Sequence, residues 1–108
     1  MIEWEGRGAG RIGERSEPFI LFVHTPFCGT CALARKMLTV AEAALPELKL
    51  EAANLNLYPE LAAAYRIESV PCLLIRHPDG RLEKVYRFGS VVELMEKLKP
   101  LAGSNMEE

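Results

Sequence analysis

The chain has 108 residues, with 13 Lys and Arg against 15 Asp and Glu and a formal net charge of −2. A length of about 100–150 residues normally builds one domain, and mild acidity gives no general attraction to nucleic acid or anionic lipid. No apolar run approaches the roughly 18 residues that cross a bilayer, and residues 1–18 lack the apolar centre of a secretory signal. A cytoplasmic monomer, in a compartment that keeps thiols reduced, is the expectation. The odd set Cys28, Cys31 and Cys72 argues against a secreted disulfide framework.

Residues 1–17 hold Gly6, Gly8, Gly10 and Gly13 and show no periodicity, so they read as a flexible glycine-rich arm in which Trp4 is incidental. Order is expected from Pro18. Phe19-Ile20-Leu21-Phe22-Val23 is a short unbroken apolar run, the pattern of a central strand covered on both faces. Residues 29–45 read as a helix with Leu33, Met37, Val40, Ala41, Ala44 and Leu45 at helical spacing, closed by Pro46. Residues 48–57 read as a second strand, and Pro59 opens a short helix over 60–65. Residues 70–75 form a third strand, and His77-Pro78-Asp79-Gly80 turns the chain into a fourth, 82–88. Ser90 and Glu93 fit a capping box ahead of a last helix with Val91, Leu94, Leu98 and Leu101 on one face. The order β-α-β-α-β-β-α predicts an α/β domain over 18–102, a four-stranded mixed sheet flanked by helices, and a polar tail over 103–108.

Thr25-Pro26-Phe27-Cys28-Gly29-Thr30-Cys31 stands where the first strand hands over to the first helix. A helix N-terminus carries free N–H groups and a partial positive charge, which stabilise a thiolate. Residues three apart share a helix face, so Cys31 can reach Cys28. Cys28 can then attack a substrate disulfide and Cys31 can resolve the mixed disulfide that forms. Arg35 and Lys36, one turn on, add weak positive potential. Two other readings stand beside this one: half of a zinc site, or two small core residues. No strand–Gly-x-Gly-x-x-Gly–helix unit is read, so no cofactor is expected.

Across residues 18–101 the chain resembles the thioredoxin superfamily, and in particular its small cytosolic bacterial thioredoxin-like proteins. The resemblance rests on Phe27-Cys28-Gly29-Thr30-Cys31 after an apolar strand, on Val70-Pro71 opening the next core strand, and on Gly89 after the last strand. It implies the thioredoxin fold and thiol–disulfide oxidoreductase activity, acting as a reductant, with Cys28 and Cys31 as the catalytic, redox-active pair. It implies that Pro71 is cis and faces the cysteines, that the Val70 backbone pairs with an extended substrate segment, and that Phe27 and Gly89 border the groove. The partners it implies are disulfide-containing proteins or small-thiol mixed disulfides, and an upstream reductase or low-molecular-weight thiol. The chain departs from thioredoxin itself at Phe27 and Thr30, where that protein has Trp and Pro. It departs again at Phe22 and Asn54, which hold the places of a buried carboxylate and its lysine.

Three residues carry a second reading. Cys72 is either a small buried hydrophobe or a third thiol. His24 is either bonded within the fold, or a cation beside the thiolate, or a metal ligand with Cys28, Cys31 or Cys72 in a metal-binding or redox-sensing module. His77 belongs to its turn and is assigned no chemistry.

Overall fold

The computed structural model describes residues 1–6 and 17–103. The central strand β2 (Phe19–His24) is buried in five of its six residues. Successive side chains of a strand point to opposite faces, and each face here meets its own core. Ile20 and Phe22 pack with Cys31, Ala34 and Leu38 of α1 (Gly29–Ala44) and with Leu94 and Leu98 of α3 (Val91–Gly103). Phe19, Leu21 and Val23 pack on the other side with Tyr58 and with Leu61 and Tyr65 of α2 (Glu60–Tyr65). Two cores, one on each side of a single strand, account for the unbroken apolar run.

The remaining strands are β1 (Ile2–Glu3), β3 (Leu50–Asn54), β4 (Cys72–Arg76) and β5 (Leu82–Val85), in the spatial order β1-β3-β2-β4-β5. The sheet therefore has five strands, not the four expected, because β1 adds itself in parallel to the outer edge of β3, with Ile2 opposite Glu51 and Glu3 opposite Ala52. Residues 1–6 are thus not the loose arm that the glycines imply. The Trp4 amide donates to the Ala52 carbonyl at 2.7 Å. The Trp4 indole is only 6 % exposed, lies edge-on to Tyr58 at 5.3 Å and donates to Glu51 at 2.7 Å. The Met1 ammonium pairs with Glu42 on α1. A two-residue strand is too short to show periodicity, so its place had to come from these distant partners. The rest of the arm, 7–16, and the tail residues 104–108 lie outside the described residues.

β3 runs parallel to β2, but β4 is antiparallel to it, as is β5 to β4. Alternating strands and helices predict a parallel third strand. Instead the connection through α2 returns the chain to the sheet at the end where β3 left it, which is also the end where α1 begins. From that end β4 can only run antiparallel to β2.

α1 buries only part of the predicted face: Ala41 is buried, and Met37 and Leu45 pack against the core. Cys31, Ala34, Leu38 and Ala41 are buried, while Leu33 and Val40 are 60 % and 51 % exposed. The alanines let the helix axis approach the sheet closely, so the smaller stripe wins over the bulkier one. In the capping box of α3, Ser90 Oγ accepts from the Glu93 amide at 3.1 Å and the Glu93 carboxylate accepts from the Ser90 amide at 3.0 Å. In the β4–β5 hairpin, Asp79 accepts from the Arg81 amide at 2.9 Å and Gly80 takes a φ of 92°, which a side chain would disfavour. Glu83 ties the hairpin to α3 through Lys97 at 2.6 Å and to His77 at 2.8 Å. The Lys97 hydrogen bond, then that of His77, hold its carboxyl below the usual range.

Candidate redox site

β2 ends at His24, and three residues later the chain turns into α1. Phe27 makes that turn with a φ of 61° and its ring wholly in solvent. A left-handed aromatic residue costs about 1 kcal/mol, and the turn it makes brings Cys28 to the N-cap of α1. Cys28 has extended backbone angles and its sulfur accepts from the Cys31 amide at 3.2 Å. The Thr30 hydroxyl is 3.4 Å from the same sulfur. No acidic residue occupies the first turn of α1, so the positive end of the helix is left for a thiolate to compensate. Cys28 and Cys31 form a disulfide across a Cα–Cα distance of 5.1 Å. Their burial is unequal: Cys28 is half-buried and Cys31 is 4 % exposed.

The Val70–Pro71 peptide bond is cis. Pro71 lines an apolar groove of about 300 Å³ together with Thr30, Leu33, Met37, Phe88 and Gly89. Gly89 has a φ of 66°, and a Cβ there would collide with the Glu93 carboxylate that caps α3. Of the four residues expected to border a substrate, Pro71 and Gly89 line this groove. Val70 packs between the two cores, and Phe27 projects into solvent. Leu33, Met37 and Phe88 were read from their spacing as core or strand residues. The surplus of apolar side chains on α1, more than one buried face accommodates, was the available signal that some of them serve a surface.

Cys72 lies on the opposite face of the sheet from Cys31, in the core shared by Tyr58 and Leu61. Burial pushes its thiol up to about 11, against the opposing hydrogen bond of Tyr86 and the charge of Lys84. The sheet separates it from the pair, which removes the third-thiol reading. A thiol so shifted stays neutral and unreactive at pH 8. With Cys28 and Cys31 disulfide-bonded, the folded protein should take up no iodoacetamide in an hour, and should gain one adduct by intact mass once unfolded in urea. Uptake at Cys72 in the folded state would show that this core opens readily.

His24 is drawn into a cluster with Glu3 of β1 and Arg35 of α1, at 2.7 and 3.0 Å from its Nε2. Among the described residues, no three His, Cys, Asp or Glu side chains gather where they could hold a metal ion, and no helix is long and apolar enough to cross a membrane. Gly8, Gly10 and Gly13 share the spacing of a dinucleotide loop. They lie outside the described residues.

No family model matches the chain. It is 45 % identical over 86 residues to the thioredoxin-like protein YusE of Bacillus subtilis, an alignment covering 80 % of this chain and 81 % of that one. Among solved structures, chloroplastic thioredoxin z superposes with a TM-score of 0.74 at 19 % identity over 95 % of each chain. Oxidized mitochondrial thioredoxin 3 of Saccharomyces cerevisiae superposes with a TM-score of 0.66 at 18 % identity over 82 % of each chain. With the strand–Cys-x-x-Cys–helix junction at the end of the central strand of this sheet, and a relative of that identity over that length, the chain belongs to the thioredoxin-like proteins of the thioredoxin superfamily.

Proposed function

We propose that the protein reduces disulfides in other proteins, or removes small-thiol caps from their cysteines, by exchange at Cys28 and Cys31. The observation that carries this reading is the unequal placement of the two sulfurs. Cys28 is the more open one, at the positive end of α1, and Cys31 is buried behind it. The Cys28 thiolate attacks one sulfur of the substrate disulfide. A Cys28–substrate bond forms, and the other substrate sulfur leaves with the bonding pair. Cys31, as thiolate, then attacks Cys28, and the second substrate sulfur leaves. The net change is two electrons to the substrate, taken up with two protons from solvent. A low-molecular-weight thiol or an upstream reductase returns the pair to the dithiol in a reduced compartment. Pro71 and Gly89 line an apolar groove shared with Thr30 of the Cys-x-x-Cys segment, which serves this reading as the substrate groove. The Val70 backbone offers pairing to an extended substrate segment, and the Phe27 ring lends it apolar contact.

A redox titration of the pair, read by alkylation and intact mass, tests this. A reversible two-electron transition near roughly −270 mV is the expected result for a reductant, and a value near about −200 mV would make it an exchanger or isomerase instead. If the wild-type protein forms no Cys28–Cys31 disulfide at any potential, the reading fails.

A further inference from the structure

Three ionisable side chains from three separate elements meet one helical turn beyond the disulfide. Cys31 and Arg35 are four residues apart on α1, so their Cβ atoms lie about 5–6 Å apart on one face. The Arg35 guanidinium sits 5.5 Å over the Phe22 ring, and Phe22 and Cys31 belong to the same packed core. Arg35 donates to Glu3 at 3.0 Å and lies 3.0 Å from His24 Nε2. The same nitrogen is 2.7 Å from the other Glu3 oxygen. The His24 ring stacks on Phe22 at 5.3 Å with an interplanar angle of 24°, and its side chain is 13 % exposed. Around His24, β1 brings Glu3 and α1 brings Arg35. β3 brings only neutral Asn54, opposite His24 in the register.

Arginine only donates. With its hydrogen on Nε2, His24 donates to Glu3, and with the hydrogen on Nδ1 it accepts from Arg35. Either tautomer leaves the Arg35 guanidinium over Phe22, whose apolar ring screens the charge poorly.

We propose that Arg35, held in place by Glu3 and His24, is a positioning residue that sets the proton affinity of Cys31, the resolving thiol. This rests on the oxidoreductase reading above. In the resolving step the Cys31 thiolate attacks Cys28, the Cys28–Cys31 bond forms, and the Cys28–substrate bond breaks. The substrate sulfur leaves with the electron pair and takes a proton from solvent. The Arg35 cation one turn away raises the fraction of Cys31 present as thiolate, and Glu3 moderates it. The N-terminal strand thereby takes part in the chemistry, since Glu3 is its contribution.

The test follows the Cys31 Cβ resonance of reduced, ¹³C-cysteine-labelled protein from pH 5 to pH 10. Arg35→Gln should raise the Cys31 pKa, Glu3→Gln should lower it, each by about half a unit or more, and Arg35→Lys should restore the wild-type curve. Circular dichroism establishes that each variant is folded, and Glu3→Gln decides the matter if Arg35→Gln is not. Superposable curves for the wild type and the folded variants would overturn the proposal. The titration needs no turnover, so that outcome alongside a reversible Cys28–Cys31 couple would remove this inference and leave the oxidoreductase reading standing.

Discussion

Cys28→Ser should abolish reduction of a protein disulfide by dithiothreitol through this protein, a loss on the order of 10³-fold or more. Cys31→Ser should instead stall it halfway. Both effects follow from the geometry at the head of α1. Cys28 is the N-cap, its sulfur already accepts the Cys31 amide, and a serine hydroxyl there has far too high a pKa to attack sulfur. Cys31→Ser keeps the backbone amide that stabilises the Cys28 thiolate, so attack on substrate continues. The resulting mixed disulfide has no buried thiol behind it to release the product. Intact mass of Cys31→Ser incubated with a disulfide-bonded substrate should show a covalent one-to-one adduct that dithiothreitol removes. No adduct, together with undiminished turnover, would mean that the two cysteines do not divide the work in this way.

Trp4→Ala is expected to destabilise the fold by about 3–5 kcal/mol, the usual cost of deleting a buried aromatic ring. That is a large share of the about 5–15 kcal/mol that holds a domain together. The indole is 6 % exposed, packs edge-on against Tyr58 and donates to Glu51, so truncation leaves a cavity and removes that hydrogen bond. Trp4→Phe keeps the ring contact but loses the hydrogen bond, and should cost about 1–2 kcal/mol. Urea unfolding followed by circular dichroism measures both. The wild type can also be followed by fluorescence, because Trp4 is its only tryptophan. A loss below about 1 kcal/mol for Trp4→Ala would mean that β1 rests on the sheet without belonging to the cooperative unit.

The features that could be read directly from the chain are those carried by neighbours in sequence. The apolar run of β2 announced burial on both faces. The Cys-x-x-Cys at a strand-to-helix junction announced its chemistry through the helix end. Pro59 opened α2, Ser90 and Glu93 closed their reciprocal hydrogen bonds, and His77 to Gly80 made the hairpin. Each depends on spacings of two to four residues, where local geometry decides. What local spacing could not decide needed partners far away. β1 is two residues long, and its place comes from an edge of β3 and from a tryptophan pocket nearly fifty residues distant. The buried stripe of α1 was chosen by how closely alanines let it approach the sheet, not by which side chains are most apolar. The direction of β4 was set by the end of the sheet at which the chain re-enters it after α2. Glu3, His24 and Arg35 meet only because β1, β2 and α1 are packed together, and a cluster assembled from three elements leaves no mark in the spacing of any one of them.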